Sequence, residues 1–174
     1  AALRSVQYRN NNAGDRNKTT RVFTFTVNDG TAISNAVTAT VTIPNHAPAI
    51  ANITGSIPPL YGSGSMVVAN GVTLTDNDNA TLQSATVAIT SGLAPAEDQL
   101  IFNNQNGISG IYTATTGTLL LTGISTKANY EIALRSVQYQ NTSLSPNETP
   151  RVISFTVNDG SAASTAIVVT LNIN

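Results

Sequence analysis

The sequence predicts an all-β chain of sandwich type, and three observations carry that expectation. Polarity comes from Thr, Ser and Asn rather than from charge, which is confined to 10% of residues; hydroxyl residues alternating with apolar ones suit half-buried strands. Short segments of this kind follow one another closely, each bounded by Gly, Pro, Asn or Asp, a spacing that suits a sandwich. One stretch also occurs twice: Ala2 to Tyr8 reads ALRSVQY, and Ala133 to Tyr139 reads ALRSVQY again. The match continues through RVFTFTVNDG (Arg21 to Gly30) against RVISFTVNDG (Arg151 to Gly160). A repeat of about 130 residues is a whole domain rather than a solenoid rung. Residues 1–44 are therefore expected to be the C-terminal part of a preceding, incomplete repeat and residues 45–174 a complete one. The chain reads as a window on a longer tandem array.

The elements follow from the pattern. Val22 to Val27, Ala39 to Ile43, Val152 to Val157 and Val168 to Ile173 alternate with a period of two and predict strands with one buried face. Between them, Asn28-Asp29-Gly30 and Asn158-Asp159-Gly160 tolerate the positive φ of a tight connection, so each copy should end in a hairpin. Further strands are expected at Ala49 to Ser56, Met66 to Thr75, Leu82 to Thr90, Gln99 to Phe102, Ile111 to Thr115, Thr118 to Thr122 and Leu134 to Tyr139. At most one short helix is expected, a turn within Ser125 to Ile132 capped by Ser125 or Thr126. Val41 to Ile50, VTIPNHAPAI, carries two prolines that hold it extended, a stiff linker favouring a rod-like array.

Composition excludes several function classes. Eight Lys and Arg against nine Asp and Glu leave no basic surface for nucleic acid or anionic membrane. The absence of Cys removes thiol catalysis and Cys-ligated zinc. No apolar run approaches the roughly 18 residues of a membrane-spanning helix, and no signal segment opens the chain. The one histidine, His46, lies in the linker with no reason to be oriented by a carboxylate, which a Ser-His-Asp machine requires. The acids fall in turns rather than facing each other across a cleft, so no enzyme is expected. Aromatic residues are 5% with no Trp, which offers no stacking platform for sugars or bases. Arg4 and Arg135 read as matching strand residues, either contacts for a ligand or, as the favoured reading, packing residues whose stems cover apolar surface while their heads stay solvated. Asn17, Asn52, Asn79, Asn141 and Asn147 open N-glycosylation acceptor triplets, as chance allows in a chain rich in Asn and Thr. The partial copy should expose Val22, Phe23, Phe25 and Val27 unless something outside the window covers them.

The series LTDNDNATL (Leu74 to Leu82), SATVAITSG (Ser84 to Gly92), EDQLIF (Glu97 to Phe102), GISGIYTATTGTLLLTG (Gly107 to Gly123), NYEIALRSVQYQNTS (Asn129 to Ser143) and ISFTVNDG (Ile153 to Gly160) resembles the cadherin-like repeats of giant bacterial surface adhesins. The resemblance covers nearly the whole chain and implies an immunoglobulin-like β-sandwich, tandemly repeated, exported, and used for adhesion or as a stalk, often with calcium at the junctions. In such a sandwich, Asp76 to Asn79 forms the B–C turn and Asn158 to Gly160 the F–G turn, both at the end where the linker around Asn45 enters. Asp76, Asp78 and Asp159 would then meet beside linker carbonyls, an oxygen set suited to calcium; the alternative is that Asp and Asn are simply good turn formers. The linker reads Asn45-His46-Ala47-Pro48, lacking the acid that the family commonly places before Ala-Pro, and the A–B turn, Tyr61 to Ser65, has no acid either. Asp98 and Glu97 fall near the opposite end, either serving the next junction or standing as solvated loop carboxylates.

The sequence thus points to a structural or adhesive repeat of an extracellular surface adhesin or fibre, a stiff spacer stalk or filament whose partners are neighbouring repeats or subunits, or a surface glycan or protein. The alternatives are a pilin-like subunit that exchanges strands and a carbohydrate-binding module.

Overall fold

Strict alternation builds an interior strand of the sandwich: along Arg151–Asn158 the residues Arg151, Ile153, Phe155 and Val157 are buried, and those between them are partly exposed. The computed structural model describes residues 2–11, 18–53 and 64–174. After a 3-10 helix, Ala2–Ser5, come β1 (Arg21–Phe25), β2 (Val37–Val41), β3 (Ala49–Ala51), β4 (Ser65–Val67), β5 (Thr73–Thr75) and β6 (Thr81–Ser91). Next come β7 (Asp98–Ile101), β8 (Ser109–Thr113), β9 (Thr118–Thr126), helix α1 (Lys127–Arg135), β10 (Gln138–Asn141), β11 (Arg151–Asn158) and β12 (Ile167–Leu171).

The chain is an all-β sandwich. A five-stranded antiparallel sheet, β12-β11-β6-β9-β8, stands opposite a three-stranded sheet, β4-β10-β7, with the pair β3-β5 beside it. One core joins them: Leu82, Val87 and Ile89 of β6, Leu119 and Leu121 of β9 and Ile153, Phe155 and Val157 of β11 meet Leu100, Tyr139, Ile50 and Leu74. Burying each large apolar side chain of this set contributes about 1.5–3 kcal/mol. No described residue before Ile50 enters that core.

The hairpin β1-β2 reproduces β11-β12 bond for bond. Arg21 faces Val41 and Phe25 faces Val37; in the second copy Arg151 faces Leu171 and Phe155 faces Ile167. The turns repeat as well. Gly30 and Gly160, at φ 98° and 96°, each donate to the side chain of the Asn two residues earlier, at 2.6 Å. Asp29 Oδ1 accepts from Thr31 and Ala32, as Asp159 Oδ1 accepts from Ser161 and Ala162. What differs is cover. The inner positions Ile153, Phe155 and Val157 are buried, while their counterparts Phe23 and Phe25 are half-buried and Val27 is 53% exposed, beside an open groove of about 430 Å³ between the 3-10 helix and the hairpin. Val22 does not belong with them: the period of two turns it to the other face with Thr24.

Four other expectations are corrected. Met66 to Thr75 is not one strand, because Gly71 at φ 78° breaks it and the chain crosses from the three-stranded sheet to the β3-β5 pair. The helix starts after the cap Thr126, whose side chain accepts from Asn129 N, but runs on to Arg135. Tyr130, Ala133 and Leu134 supply the i, i+3, i+4 stripe that buries it. Arg135, read as a strand residue, therefore ends that helix, and Arg4 lies in the equivalent 3-10 turn. Arg135 donates from Nε to the Val72 carbonyl at 3.0 Å and pairs with Glu131 at 3.5 Å. The strand expected over Leu134 to Tyr139 begins only at Gln138, as β10, because Leu134 and Arg135 belong to the helix; the remaining strands agree with expectation within a few residues, and the end of the strand expected over Ala49 to Ser56, most of the Tyr61 to Ser65 turn and the Asn17 side chain lie outside the described residues.

Asp98 is neither solvated nor free for a junction: it is 1% exposed. Arg151, wholly buried on β11, meets it through Nε to Oδ2 at 3.0 Å and Nη2 to Oδ1 at 3.0 Å. The Tyr139 hydroxyl on β10 donates to Asp98 Oδ1 at 2.6 Å, Tyr112 on β8 donates to its carbonyl at 3.0 Å, and Ala94 N donates to Oδ2 at 2.7 Å. Arg151 Nη1 donates to the carbonyls of Asn147 and Thr149. The ion pair thus bolts the five-stranded sheet to the three-stranded one with its polar atoms matched.

Asp98→Ala should destabilise the fold by about 3–5 kcal/mol in urea unfolding, because it strands a buried guanidinium, and pairing Asp98→Leu with Arg151→Met should recover most of that loss. Alkali should act through tyrosine. Burial pushes the Tyr130 phenol up to about 12, and burial followed by the bond to Asp98 raises Tyr139. Phenols raised on folding support the fold below the unfolded value and lose that support as pH climbs through the folded one. The melting temperature should hold to about pH 9 and fall above about pH 10, with a shallower fall in Tyr130→Phe.

Candidate functional site

Two turns and the linker meet at one end of the sandwich, and their polar side chains are trained on one another. In the turn after β5, Asp76 Oδ1 accepts from the backbone of Asp78 at 3.0 Å and of Asn79 at 2.9 Å, an Asx turn that fixes both side chains. Lys127, the first residue of α1, props the same turn from below, donating to the carbonyls of Asp76, at 3.2 Å, and Asn79. The linker arrives at Asn45 and His46: His46 N donates to Asp78 Oδ2 at 3.1 Å, and Asn45 Nδ2 donates to Asp159 Oδ2 at 2.9 Å. Asn79 Nδ2 donates to the same Asp159 oxygen at 2.7 Å.

The structure therefore brings Asp76, Asp78 and Asp159 to one end of the sandwich beside the linker. It does not make them converge: among the described residues no three carboxylate or imidazole groups are gathered as a metal-holding set. Asp76 Oδ1 and Asp159 Oδ1 are turned into their own loops, and Asp159 Oδ2 faces two amides. What reaches the space between them is the Lys18 ammonium, from the stretch just before β1. It donates to Asn79 Oδ1 at 2.7 Å and to Asn45 Oδ1, and lies 3.5 Å from Asp78 Oδ2.

Electrostatics follow this geometry. Burial works to raise Asp78, but the His46 backbone bond, the contact with Asp76 and the Lys18 charge outweigh it and hold the carboxyl below its ordinary value. For Asp159, burial is likewise overcome by the Ala162 and Ser161 amides, Asn45 and Lys18. His46 is a further correction, since a carboxylate does face it: its Nδ1 is 3.7 Å from Asp78 Oδ2.

Over an alignment of 123 residues that covers 66% of the chain, the sequence is 33% identical to halomucin of Haloquadratum walsbyi. It spans about 1% of the length of that curated relative. No family model matches the chain, and no solved structure matches it significantly.

Sequence reasoning missed Lys18, Lys127, Asn45 and Asn79 as members of the site. One signal was present: in the repeat alignment that sets Arg21 on Arg151, Lys18 (NKTTR) stands where the second copy has Glu148 (NETPR), so the fold itself does not demand it. Asn79 and Asn141 also open acceptor triplets, yet the Asn79 amide is committed to the network and Asn141 is buried. Asn79→Ala should cost about 1–3 kcal/mol by leaving Asp159 and Lys18 short of partners, whereas Asn77→Ala, exposed in the same turn, should stay within about 0.5 kcal/mol in the same urea titration.

Proposed function

We propose that the chain is a load-bearing piece of a tandem array of β-sandwich repeats in an extracellular surface protein, where it acts as a stiff spacer stalk or filament that can carry an adhesive end. The carrying observation is the hairpin duplicated in register and turn hydrogen bonding, linked by a proline-bearing segment docked through Asn45 and His46. A protein built by repeating one module gains length with each copy, and a linker pinned to the following module limits bending between copies. The likeness to halomucin supports this reading, as a short stretch matching a far longer protein suits one unit of an extended molecule. Partners in this reading are neighbouring repeats, with a surface glycan or protein at the tip.

One observation favours strand exchange between subunits as a second reading: β11 pairs with β12 on one side and β6 on the other, whereas among the described residues β1 pairs with β2 alone. A strand of the β6 type, supplied by the same polypeptide or by another subunit, fits that edge.

Small-angle scattering on chains of two, three and four joined copies of residues 45–174 tests the spacer role. The maximum dimension should grow in proportion to copy number; growth as about the square root of copy number marks a flexible string and overturns it.

A further inference from the structure

The resemblance to calcium-stiffened repeats asks whether the head of the complete repeat fits a metal. Calcium takes six to eight oxygens at about 2.3–2.6 Å. Here the carboxylates of Asp76 and Asp159 are spent on turn amides and on the two asparagines, and no three acidic groups converge among the described residues. The donor set does not fit that ion. It does fit a smaller demand. An ammonium has three N–H bonds and needs three acceptors, and Lys18 Nζ faces three: Asn79 Oδ1, Asn45 Oδ1 and Asp78 Oδ2.

We propose that the head of the complete repeat, formed by Asn45, Asp78, Asn79 and Asp159, is a receptor for an ammonium delivered by the repeat before it, and that Lys18 is the tethered cation of this junction in place of a metal.

The amides explain how the receptor is tuned. Each asparagine has one acceptor and one donor end. Asp159 takes the Nδ2 of both Asn45, at 2.9 Å, and Asn79, at 2.7 Å. That leaves both Oδ1 atoms facing inward, toward the cation. Asp78 is 1% exposed and needs a countercharge that the core cannot supply; on the linker side it meets the His46 backbone N–H, the His46 imidazole Nδ1 at 3.7 Å and the Lys18 ammonium at 3.5 Å. The three receptor segments are separated by 34 to 114 residues and Lys18 comes from a fourth, so the contact forms only when the preceding repeat is docked. The same position at the tail of the complete repeat is Glu148. In the proposed array that tail presents an anion where the preceding one presents a cation. This inference rests on the order of repeats proposed above, but not on any spacing or adhesive role.

The experiment is thermal melting of the full 174-residue chain and its Lys18→Met variant, each in chelator and in millimolar calcium chloride. Wild type should melt at the same temperature in both. Lys18→Met, which should fold because it changes a partly exposed loop residue, should melt roughly 2–4 °C lower, and the drop should shrink when Lys18→Met is made in an Asn79→Ala background, where one of the three acceptors is already gone. A calcium-driven rise in wild type overturns the proposal in favour of a metal junction, and a Lys18→Met variant that melts with wild type overturns it outright. Neither result touches the scattering behaviour, so failure here is distinct from failure of the spacer reading.

Discussion

The guanidinium of Arg151 sits where a sandwich ordinarily keeps only apolar atoms, and the rest of the molecule is arranged around satisfying it. It takes both carboxylate oxygens of Asp98 and two carbonyls of the incoming loop. Asp98 in turn fixes Tyr139, Tyr112 and the turn at Ala94. These contacts join β11 and β8 of the large sheet to β7 and β10 of the small one at a single point. A buried pair of this kind adds little net stability against an apolar substitute but penalises every misaligned packing, because any slip strands a charge. It sets how the two sheets register.

At the opposite end the logic is inverted. There the polar groups are not sealed inside but left facing a neighbour, and they are completed by a side chain from outside the sandwich. The linker is clamped by His46 N and Asn45, the turn after β5 is braced by Lys127, and the space between is filled by Lys18. One end of the repeat is self-sufficient and the other is built to receive. In the proposed array, that polarity gives the row of modules a direction.

Much of the fold was legible because β-structure writes itself locally: a period of two with Gly, Asn and Pro at the ends marked nearly every strand, and the repeat marked the hairpin. The failures have physical causes. Met66 to Thr75 reads as one apolar run, but Asn70-Gly71 permits a positive φ that moves the chain between sheets. The i, i+2 spacing of Ala128, Tyr130 and Ile132 masks a longer helix, while the pattern that matters is Tyr130, Ala133 and Leu134. Arg151 could have been found by extending the alternation of β11 one residue toward its start, where it lands on the core face, and by its recurrence as Arg21. The gathering of Asp76, Asp78 and Asp159 at the linker followed from topology, since both turns close the same end. Their cation was not legible, because Lys18 lies 61 residues from Asn79 and nothing local in the sequence ties it to those turns.

The central claim is that two copies of one module stand in series, one with its core covered and one with the same inner residues open. Native-state hydrogen exchange on the 174-residue chain tests it most directly. Amides of β6, β9 and β11 should exchange only through global unfolding, while those of β1 and β2, matched to β11 and β12 residue for residue, should exchange many times faster through local opening. Equal protection of the two hairpins would contradict the account, since it would make them parts of one cooperative body.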